Sequence, residues 1–341
     1  MKFVNMQVPS GHMQLIECVP NFSEGRNLAV INEIARAIAT VDGAYLLHKD
    51  IGYGVNRTVM TIAGSPTAVV EAAFKAIDHA ARLIDMRNHS GEHPRIGATD
   101  VCPIIPLAGV TMAECVDLSL QLAQRVGLEL KIPVYLYGQS ARLAQREDLA
   151  YLRKGQYESL ASRMAEPEFE PDFGPAQFNA RSGATVIGAR PILIAYNINL
   201  ETCDLNIARS IAATIRQRRE NHSSQSTPYP ISFWKNCQAI GWFVKEYDCC
   251  QISMNLLDYK KTPLFDVYQA VGELAVEHGI RVTGSEIIGL VPLSILLEAG
   301  KGDIEAAVKF LNLNEHQSFV VDEKVLEYKL AKFGLNAKIE F

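Results

Sequence analysis

Two hydrophobic periods alternate along the first half of the chain. Residues 14–20 form a short apolar run that is typical of a strand, whereas 27–39 place their apolar residues on one helical face. Thr111 and Glu114 have the spacing of a capping box, which predicts that a helix begins there. The predicted elements of this half are strands at 14–20, 44–50, 55–64, 100–107 and 132–137, and helices at 27–39, from Ser65 onward and after Thr111.

The second half repeats this order of elements without repeating the sequence. A long apolar strand is predicted at 183–198, and a helix with isoleucines at helical spacing follows it. Thr262 as N-cap and Pro263 at the first helical position predict the start of another helix. The remaining predicted strands are 237–246, 249–257 and 280–287.

The order strand-helix-strand, strand-helix-strand is that of the split βαβ, ferredoxin-like motif, and both halves fit it. We therefore expect an α/β fold of the α+β type with two subdomains. Each sheet carries helices on one face, and a ligand cleft lies between the subdomains. The predicted limits are 1–185 for the N-terminal subdomain, 186–325 for the C-terminal subdomain and 326–341 for a C-terminal tail.

Two polar stretches interrupt the hydrophobic pattern. Residues 155–182 contain three prolines and are interpreted as a long connection, and long ordered connections are often functional. Residues 220–232 are interpreted as a solvated loop.

Composition narrows the class of protein. With 48% hydrophobic and 21% charged residues, the chain has the composition of a folded globular protein. A net charge of -5 argues against nonspecific nucleic-acid binding, so a small ligand is the better expectation. The seven cysteines are scattered without a C-x-x-C pair, which predicts reduced thiols and no zinc site. Residues 1–12 lack a signal-peptide pattern, and no apolar run is long enough to span a bilayer, so we expect a cytoplasmic protein without a membrane partner.

Common cofactor motifs are absent from the sequence. Gly52-Tyr53-Gly54 follows a predicted strand, but Arg57 stands where a dinucleotide fingerprint needs its third glycine. There is no phosphate-binding P-loop, no H-E-x-x-H helix and no G-x-S-x-G elbow. We therefore expect no nucleotide cofactor and no metal.

Residues 88–97 (NHSGEHPRIG) combine two imidazoles, a carboxylate and a guanidinium with backbone-bending glycine and proline. Histidine accepts and donates protons near neutral pH, and Pro94 restricts His93 to an extended backbone. Gly91 and Gly97 are expected to let the chain approach a ligand closely. The alternative is a tight turn in which Arg95 pairs with a nearby acid.

Nine stretches of the sequence together resemble the glutamate formimidoyltransferase family, in which the formimino group of N-formimino-L-glutamate passes to tetrahydrofolate during histidine breakdown. They run in order from about residue 14 to 300 and cover nearly the whole chain. The stretches are IECVPNFSEGRN (16–27), NRTV (56–59), LIDMRNHSGEHPRIGATDVCP (83–103), PVYLYG (133–138), PDFGP (171–175), GATVIGAR (183–190), AYNINL (195–200), IGW (240–242) and GLVPL (289–293).

This resemblance implies two α/β subdomains around a folate cleft and a role as catalytic acid and base for His93. It places Asp50, Asn56 and Arg57 at the border of the cleft. It also implies that folate lies against a segment of ten residues: Gly174, Pro175, Ala176, Gln177, Phe178, Asn179, Ala180, Arg181, Ser182 and Gly183. His48 stands where relatives often carry a second acid, and the turn at 52–55 differs from the turn of many relatives.

The implied reaction also predicts roles for charged and aromatic side chains. Both substrates carry glutamate carboxylates, which arginine binds well. Asp50 is expected to hold the cationic amidine and orient His93, or alternatively to cap a turn. Phe173 and Phe178 either flank the pterin or pin a loop. The arginines considered for the carboxylates are Arg57, Arg95, Arg181 and Arg190.

The family resemblance leads to further expectations about the whole protein. Formiminoglutamate and tetrahydrofolate, which is a co-substrate and can be polyglutamylated, are the expected small-molecule partners, and a homodimer is expected. Animal relatives also carry a cyclodeaminase domain, whereas this chain ends at Phe341, too early to hold one, so we expect the monofunctional form, with Met13 as an alternative initiator. Two other functions remain open: an enzyme that acts on a formyl group in 5-formyltetrahydrofolate metabolism, and a folate-binding protein without catalysis.

Overall fold

A computed structural model describes residues 13–220, 229, 231–337 and 339. The predictions for residues 1–12 and for most of the 220–232 loop fall outside these residues. Within them the strands form two separate sheets, one of seven strands and one of four. The predicted mixed fold with two sheets is therefore confirmed.

The first sheet contains the strands of the N-terminal half. In its middle, β3 pairs with β4. The short strands β1 and β2 lie end to end, and each pairs with β4 on one side and with β5 on the other. All these pairs are antiparallel. This arrangement is the ferredoxin-like order, and parallel strands β7 and β6 extend it beyond β5. The strands are β1 (Leu15–Cys18), β2 (Asn21–Phe22), β3 (Ala44–Gly52), β4 (Arg57–Gly64), β5 (Thr99–Ala108), β6 (Val134–Gly138) and β7 (Thr185–Ala189).

Three amphipathic helices cover one face of the first sheet and bury one large apolar core with it. The predicted capping box is confirmed at the third helix, where the Thr111 hydroxyl accepts the Glu114 N–H and the Glu114 carboxylate accepts the Thr111 N–H. The helices of this half are α1 (Leu28–Ala39), α2 (Pro66–Leu83), α3 (Met112–Arg125), α4 (Leu149–Arg153) and α5 (Gln156–Arg163).

The second sheet has the order β11-β8-β10-β9, and all its neighbours are antiparallel. Helices α6 and α8 pack on one face, so the ferredoxin-like order predicted for this half is confirmed. The elements are β8 (Ile194–Leu200), α6 (Leu205–Glu220), α7 (Ile231–Lys235), β9 (Cys237–Val244), β10 (Cys249–Leu256), α8 (Leu264–Glu277), β11 (Val282–Ile288), α9 (Leu293–Ala299), α10 (Ile304–Phe310), α11 (Val321–Lys324) and α12 (Leu326–Lys332).

Three local predictions were wrong. The single strand predicted at 183–198 is two strands in different sheets, separated at Pro191, which has no N–H to donate to a sheet. Thr262 does not cap α8, because its hydroxyl donates to the Phe233 carbonyl and the helix begins after Pro263. The connection at 155–182 is partly helical, since it contains α5.

Side chains alternate between the two faces of each strand, and this alternation separates core from cavity. In β4, Met60 and Ile62 point to the helices, whereas Arg57, Val59 and Thr61 line a cavity. Residues of all four strands of the second sheet line the same cavity. The helix-free faces of the two sheets therefore face each other across it.

The chain returns to the first sheet near its described end. Leu326 and Leu330 of α12 belong to one buried cluster with Leu15 and Leu47 of the first sheet. The change from the first sheet to the second lies at 190–193, while the domain limits at 185/186 and 325/326 remain a prediction. No helix among the described residues is long and apolar enough to cross a membrane.

Candidate active site

The cavity between the two sheets has a volume of about 1520 Å³. Strands β1 to β5 of the first sheet and β8 to β11 of the second contribute to its walls, and the loop that carries His93 closes part of it. A concave space with a few convergent polar groups is the usual form of a small-molecule site, and this one is larger than most.

His93 lines the cavity, and its Nδ1 atom is held on the protein side. Nδ1 lies 2.9 Å from Arg57 Nη1 and 2.9 Å from the Pro94 carbonyl oxygen, so either a protonated or an unprotonated Nδ1 has a partner. Burial, and then the nearby charges of Arg57 and Arg153, hold the pKa of His93 well below its usual value. The imidazole is therefore neutral at physiological pH, and Nε2 is the nitrogen left for a ligand.

A buried charge cluster of Asp100, Arg57 and Arg153 lies next to His93. The Asp100 carboxylate, fully buried in β5, lies 2.8 Å from Arg57 and 2.6 Å from Arg153. Burial raises the pKa of Asp100, but the two guanidinium groups outweigh it and lower the pKa to about 2. Asn21 accepts further hydrogen bonds from Arg57, so the arginine beside His93 has a fixed position.

The second sheet contributes Trp242, whose ring packs against the His93 ring at a centroid separation of 5.6 Å. The indole N–H of Trp242 donates to Gln251 at 3.0 Å, and Gln251 in turn donates to Glu286 at 2.9 Å. The Tyr247 hydroxyl also donates to Glu286. A polar network on the second sheet thus fixes an aromatic wall against an imidazole held by the first sheet.

Glu17 and Arg190 line another part of the cavity. The Glu17 side chain is only 5% exposed on β1, and Arg190 follows directly after β7. Burial raises the pKa of Glu17 to about 7 against the attraction of Arg190. This end of the cavity therefore has a cation and a carboxyl group that resists ionisation.

Asp50 lines the cavity, but its carboxylate is already occupied. It accepts a hydrogen bond from Lys324 at 2.7 Å and another from the Gly289 N–H at 3.0 Å. Burial raises the pKa of Asp50, but His48, Lys324 and the Gly289 N–H together lower it well below its usual value. The groups that position His93 are Arg57 and the Pro94 carbonyl, so the expectation that Asp50 orients the imidazole is wrong.

Three residues near His93 hold the loops together rather than face the cavity. The Asn56 amide joins the Gly25 N–H to the Ser90 carbonyl, each at 2.9 Å. Arg95 pairs with Glu158 at 2.6 Å and donates to His89 Nδ1, as the tight-turn alternative predicted. Because Nδ1 accepts from Arg95, Nε2 of His89 carries the proton that it shares with the Asn56 carbonyl at 3.0 Å. His89 therefore has neither ring nitrogen available for a substrate.

The glycines of this loop serve the same close packing. A Cβ atom on Gly97 would lie 2.0 Å from the Ala184 carbonyl oxygen, and one on Gly91 would lie 2.3 Å from the Val55 carbonyl oxygen. These glycines let backbone approach backbone, so the expectation that they admit a ligand is wrong.

The segment from Gly174 to Gly183 lies elsewhere. None of its ten residues, all of which the structure describes, lines the large cavity. Arg181 binds the carbonyls of Ala81 and Arg82 at the end of α2, a common position for a cation at a helix C-terminus. Phe178 packs against Tyr157 at 5.5 Å, and the Phe173 ring lies under Arg142, as the loop-pinning alternative predicted. The structure thus does not bring this segment to His93.

Three cavity residues, and the buried Asp100 that pairs with Arg57, were missed by the sequence prediction. Glu17 and Asp100 are single acids within apolar strands, which is the signal that could have identified them. Arg153 lies in a surface-like helix, and Trp242 lies in a strand of the other half. Sequence spacing gives no indication that these last two residues meet His93.

Two helix-backed sheets that enclose a ligand-sized cavity, with a neutral, positioned imidazole on its wall, define an α/β protein suited to proton transfer on a small molecule. Residues 15–190 match the family described as the formiminotransferase domain, N-terminal subdomain, and residues 195–337 match the formiminotransferase domain. The chain belongs to the formiminotransferase domain family.

Curated relatives of the chain are similar over most of its length. It is 45% identical over 326 residues to the formimidoyltransferase-cyclodeaminase of Sus scrofa, covering 96% of this chain but 59% of that protein. It is 43% identical to the glutamate formimidoyltransferase of Thermoplasma acidophilum and 38% identical to that of Streptococcus pyogenes serotype M1. These two alignments cover 85% and 84% of this chain and 92% of each relative. The chain thus spans less than two thirds of its longer relatives and nearly all of its shorter ones.

Proposed function

We propose that this chain transfers the formimino group of N-formimino-L-glutamate to N5 of tetrahydrofolate, giving 5-formiminotetrahydrofolate and glutamate, within histidine degradation. The observation that carries this proposal is the neutral His93 imidazole, held through Nδ1 on the wall of a cavity large enough for both substrates. Family membership and two shorter relatives named glutamate formimidoyltransferase support the same reaction.

The proposed chemistry needs one proton to move between two nitrogens. N5 attacks the amidine carbon, a carbon–nitrogen bond forms, and His93 Nε2 takes the proton that N5 loses. The bond from the same carbon to the glutamate nitrogen then breaks, and His93 returns the proton to that nitrogen. During both steps the Pro94 carbonyl accepts Nδ1–H, which keeps the ring in one orientation.

The charges around the cavity support a division of roles. Arg190 is the cavity cation that we propose for a substrate carboxylate, since Arg95 and Arg181 are bound to Glu158 and to the end of α2. With Nδ1 protonated, Arg57 does not donate to the ring; it donates to the Pro94 carbonyl at 3.3 Å and so positions the oxygen that accepts Nδ1–H. Arg57 is proposed to contact substrate from the same place. Asp50 and Asn56 are proposed to shape the substrate site by holding its walls.

We further propose that folate occupies the large cavity rather than the 174–183 segment, because only the cavity adjoins His93. Tetrahydrofolate acts as co-substrate in this proposal, and polyglutamylated forms are included. We also propose a cytoplasmic location, which the bacterial and archaeal relatives support, and a homodimer.

A parallel assay of two one-carbon donors tests the proposed reaction. The purified chain is supplied with formiminoglutamate plus tetrahydrofolate in one reaction and with 5-formyltetrahydrofolate plus glutamate as formyl acceptor in the other, and folate products are followed by absorbance. Turnover is expected in the reaction with formiminoglutamate and tetrahydrofolate, and not in the reaction with 5-formyltetrahydrofolate. Turnover only with the formyl compound would indicate the formyl-group alternative, and folate binding without turnover in either reaction would indicate a non-catalytic folate-binding protein.

A further inference from the structure

Glu17 is a buried acid without a hydrogen-bonding partner among the residues that the structure describes. It is 5% exposed and lies on β1, opposite Ala63 of β4 and Ile105 of β5, so its strand neighbours are apolar. Arg190 is the charged group that acts on it. Burying a carboxyl group without hydrogen bonds is costly, and such groups persist where a ligand completes them.

The position of Glu17 relates it to the proposed chemistry. Asn21, which binds Arg57 beside His93, follows Glu17 by four residues along the line of β1 and β2 between β4 and β5. At about 3.3 Å per residue the two backbone positions lie no more than about 13 Å apart. A ligand whose reacting nitrogen reaches His93 can therefore extend toward Glu17 within the same cavity.

We propose that Glu17 binds the amino-pyrimidinone edge of the pterin ring of tetrahydrofolate by accepting its paired N–H groups, an inference that rests on the proposed function. A carboxylate has two oxygens that accept two parallel N–H donors, which is the pattern of this edge. The competing donor pair is the amidinium of formiminoglutamate, but that group is cationic and Arg190 would repel it. The pterin edge is neutral and meets no such repulsion.

Calorimetry on the intact chain with three probes tests this inference. The probes are 5-formyltetrahydrofolate, p-aminobenzoyl-L-glutamate, which lacks the pterin, and formiminoglutamate. Glu17→Gln keeps the shape of the side chain but replaces one acceptor oxygen with a donor. It is expected to weaken binding of 5-formyltetrahydrofolate by roughly ten- to a hundredfold, to leave the affinity for p-aminobenzoyl-L-glutamate unchanged and not to weaken binding of formiminoglutamate.

A stability measurement separates this role from a structural one. If the Glu17 carboxyl group serves to bind a ligand, it has no hydrogen-bonding partner in the free protein, and Glu17→Gln removes an unpaired buried charge. The free variant should then unfold at a higher temperature than the free wild type at pH 8. A structural carboxyl group would give the opposite shift. A lower unfolding temperature for Glu17→Gln therefore contradicts the inference, even when ligand binding is also lost.

The remaining outcomes are equally decisive. Unchanged affinity of Glu17→Gln for 5-formyltetrahydrofolate overturns the inference, and so does equal weakening of p-aminobenzoyl-L-glutamate. Selective loss of formiminoglutamate assigns Glu17 to the amidine and overturns the pterin assignment. A wild-type chain that binds neither folate nor formiminoglutamate contradicts the proposed function itself, and this inference with it.

Discussion

At the scale of single residues, the site depends on how His93 is kept neutral. Burial is the largest cause of its lowered pKa, and the charges of Arg57 and Arg153 add to it, while the Pro94 carbonyl and Asp100 act in the opposite direction. A base must be free of its proton before it can take one from N5. The structure therefore favours an imidazole that is ready to accept a proton at neutral pH.

This environment predicts the pH dependence of the reaction. Because the pKa of His93 is lowered, the acid side of the rate profile should have its midpoint below the ordinary histidine value of about 6.5. Trp242→Ala admits water beside the ring while Arg57, Arg153 and Asp100 remain, so the midpoint should move up toward 6.5.

Steady-state rates measured between pH 5 and 8 check this prediction. Trp242→Phe serves as the matched control, since it keeps an aromatic ring over His93 and should move the midpoint less. An unchanged midpoint in Trp242→Ala would show that the indole does not desolvate the imidazole.

At the scale of elements, polar contacts fix how the strands and loops meet. Asp50 at the end of β3 binds both Lys324 of α11 and the Gly289 N–H after β11, so one carboxylate joins the N-terminal sheet to two segments of the C-terminal half. Asn56 and Arg95 join the loops around His93 in the same way. These contacts explain why residues near a cavity need not touch its ligand.

Asp50→Asn should lower the free energy of unfolding by roughly 1.5–3 kcal/mol at neutral pH, because it weakens charged hydrogen bonds in a largely buried place. The folded pKa of Asp50 lies below its unfolded value, so its contribution is present above the unfolded pKa of about 3.9 and is lost as the pH falls through the folded pKa. The difference between variant and wild type should therefore shrink in acid.

Denaturant unfolding at pH 7 and pH 3 measures this effect. Asp258→Asn is the control, since its partner Lys261 is 61% exposed and such pairs contribute about 1 kcal/mol or less. Equal losses in the two variants would contradict a role for Asp50 in joining the two halves.

At the scale of the whole molecule, hydrophobic period was enough to predict two ferredoxin-like halves, because strand and helix periods differ clearly. It failed at 183–198, where a continuous apolar run does not reveal that its two parts enter different sheets. The Pro191 break was the available signal, and it was missed.

For the site as well, features that depend on neighbouring residues were predicted, and features that depend on the packing of distant elements were not. His93 was identified from the unusual residues around it, and its place on the cavity wall agrees with that choice. Trp242 and Arg153 could not be identified, because they reach His93 only through the packing of distant elements. The 174–183 segment was assigned to folate from the resemblance and from its place in a long connection, and the structure places it beside α2.

The central claim is that His93 carries the proton between the two nitrogens, and the transfer rate of His93→Ala tests it most directly. The variant removes the imidazole but little packing, so single-turnover transfer from formiminoglutamate to tetrahydrofolate should fall by roughly 100- to 10,000-fold, with 5-formyltetrahydrofolate binding retained. His79→Ala on α2, outside the cavity, should keep the wild-type rate. Transfer by His93→Ala within a few-fold of wild type would contradict the claim.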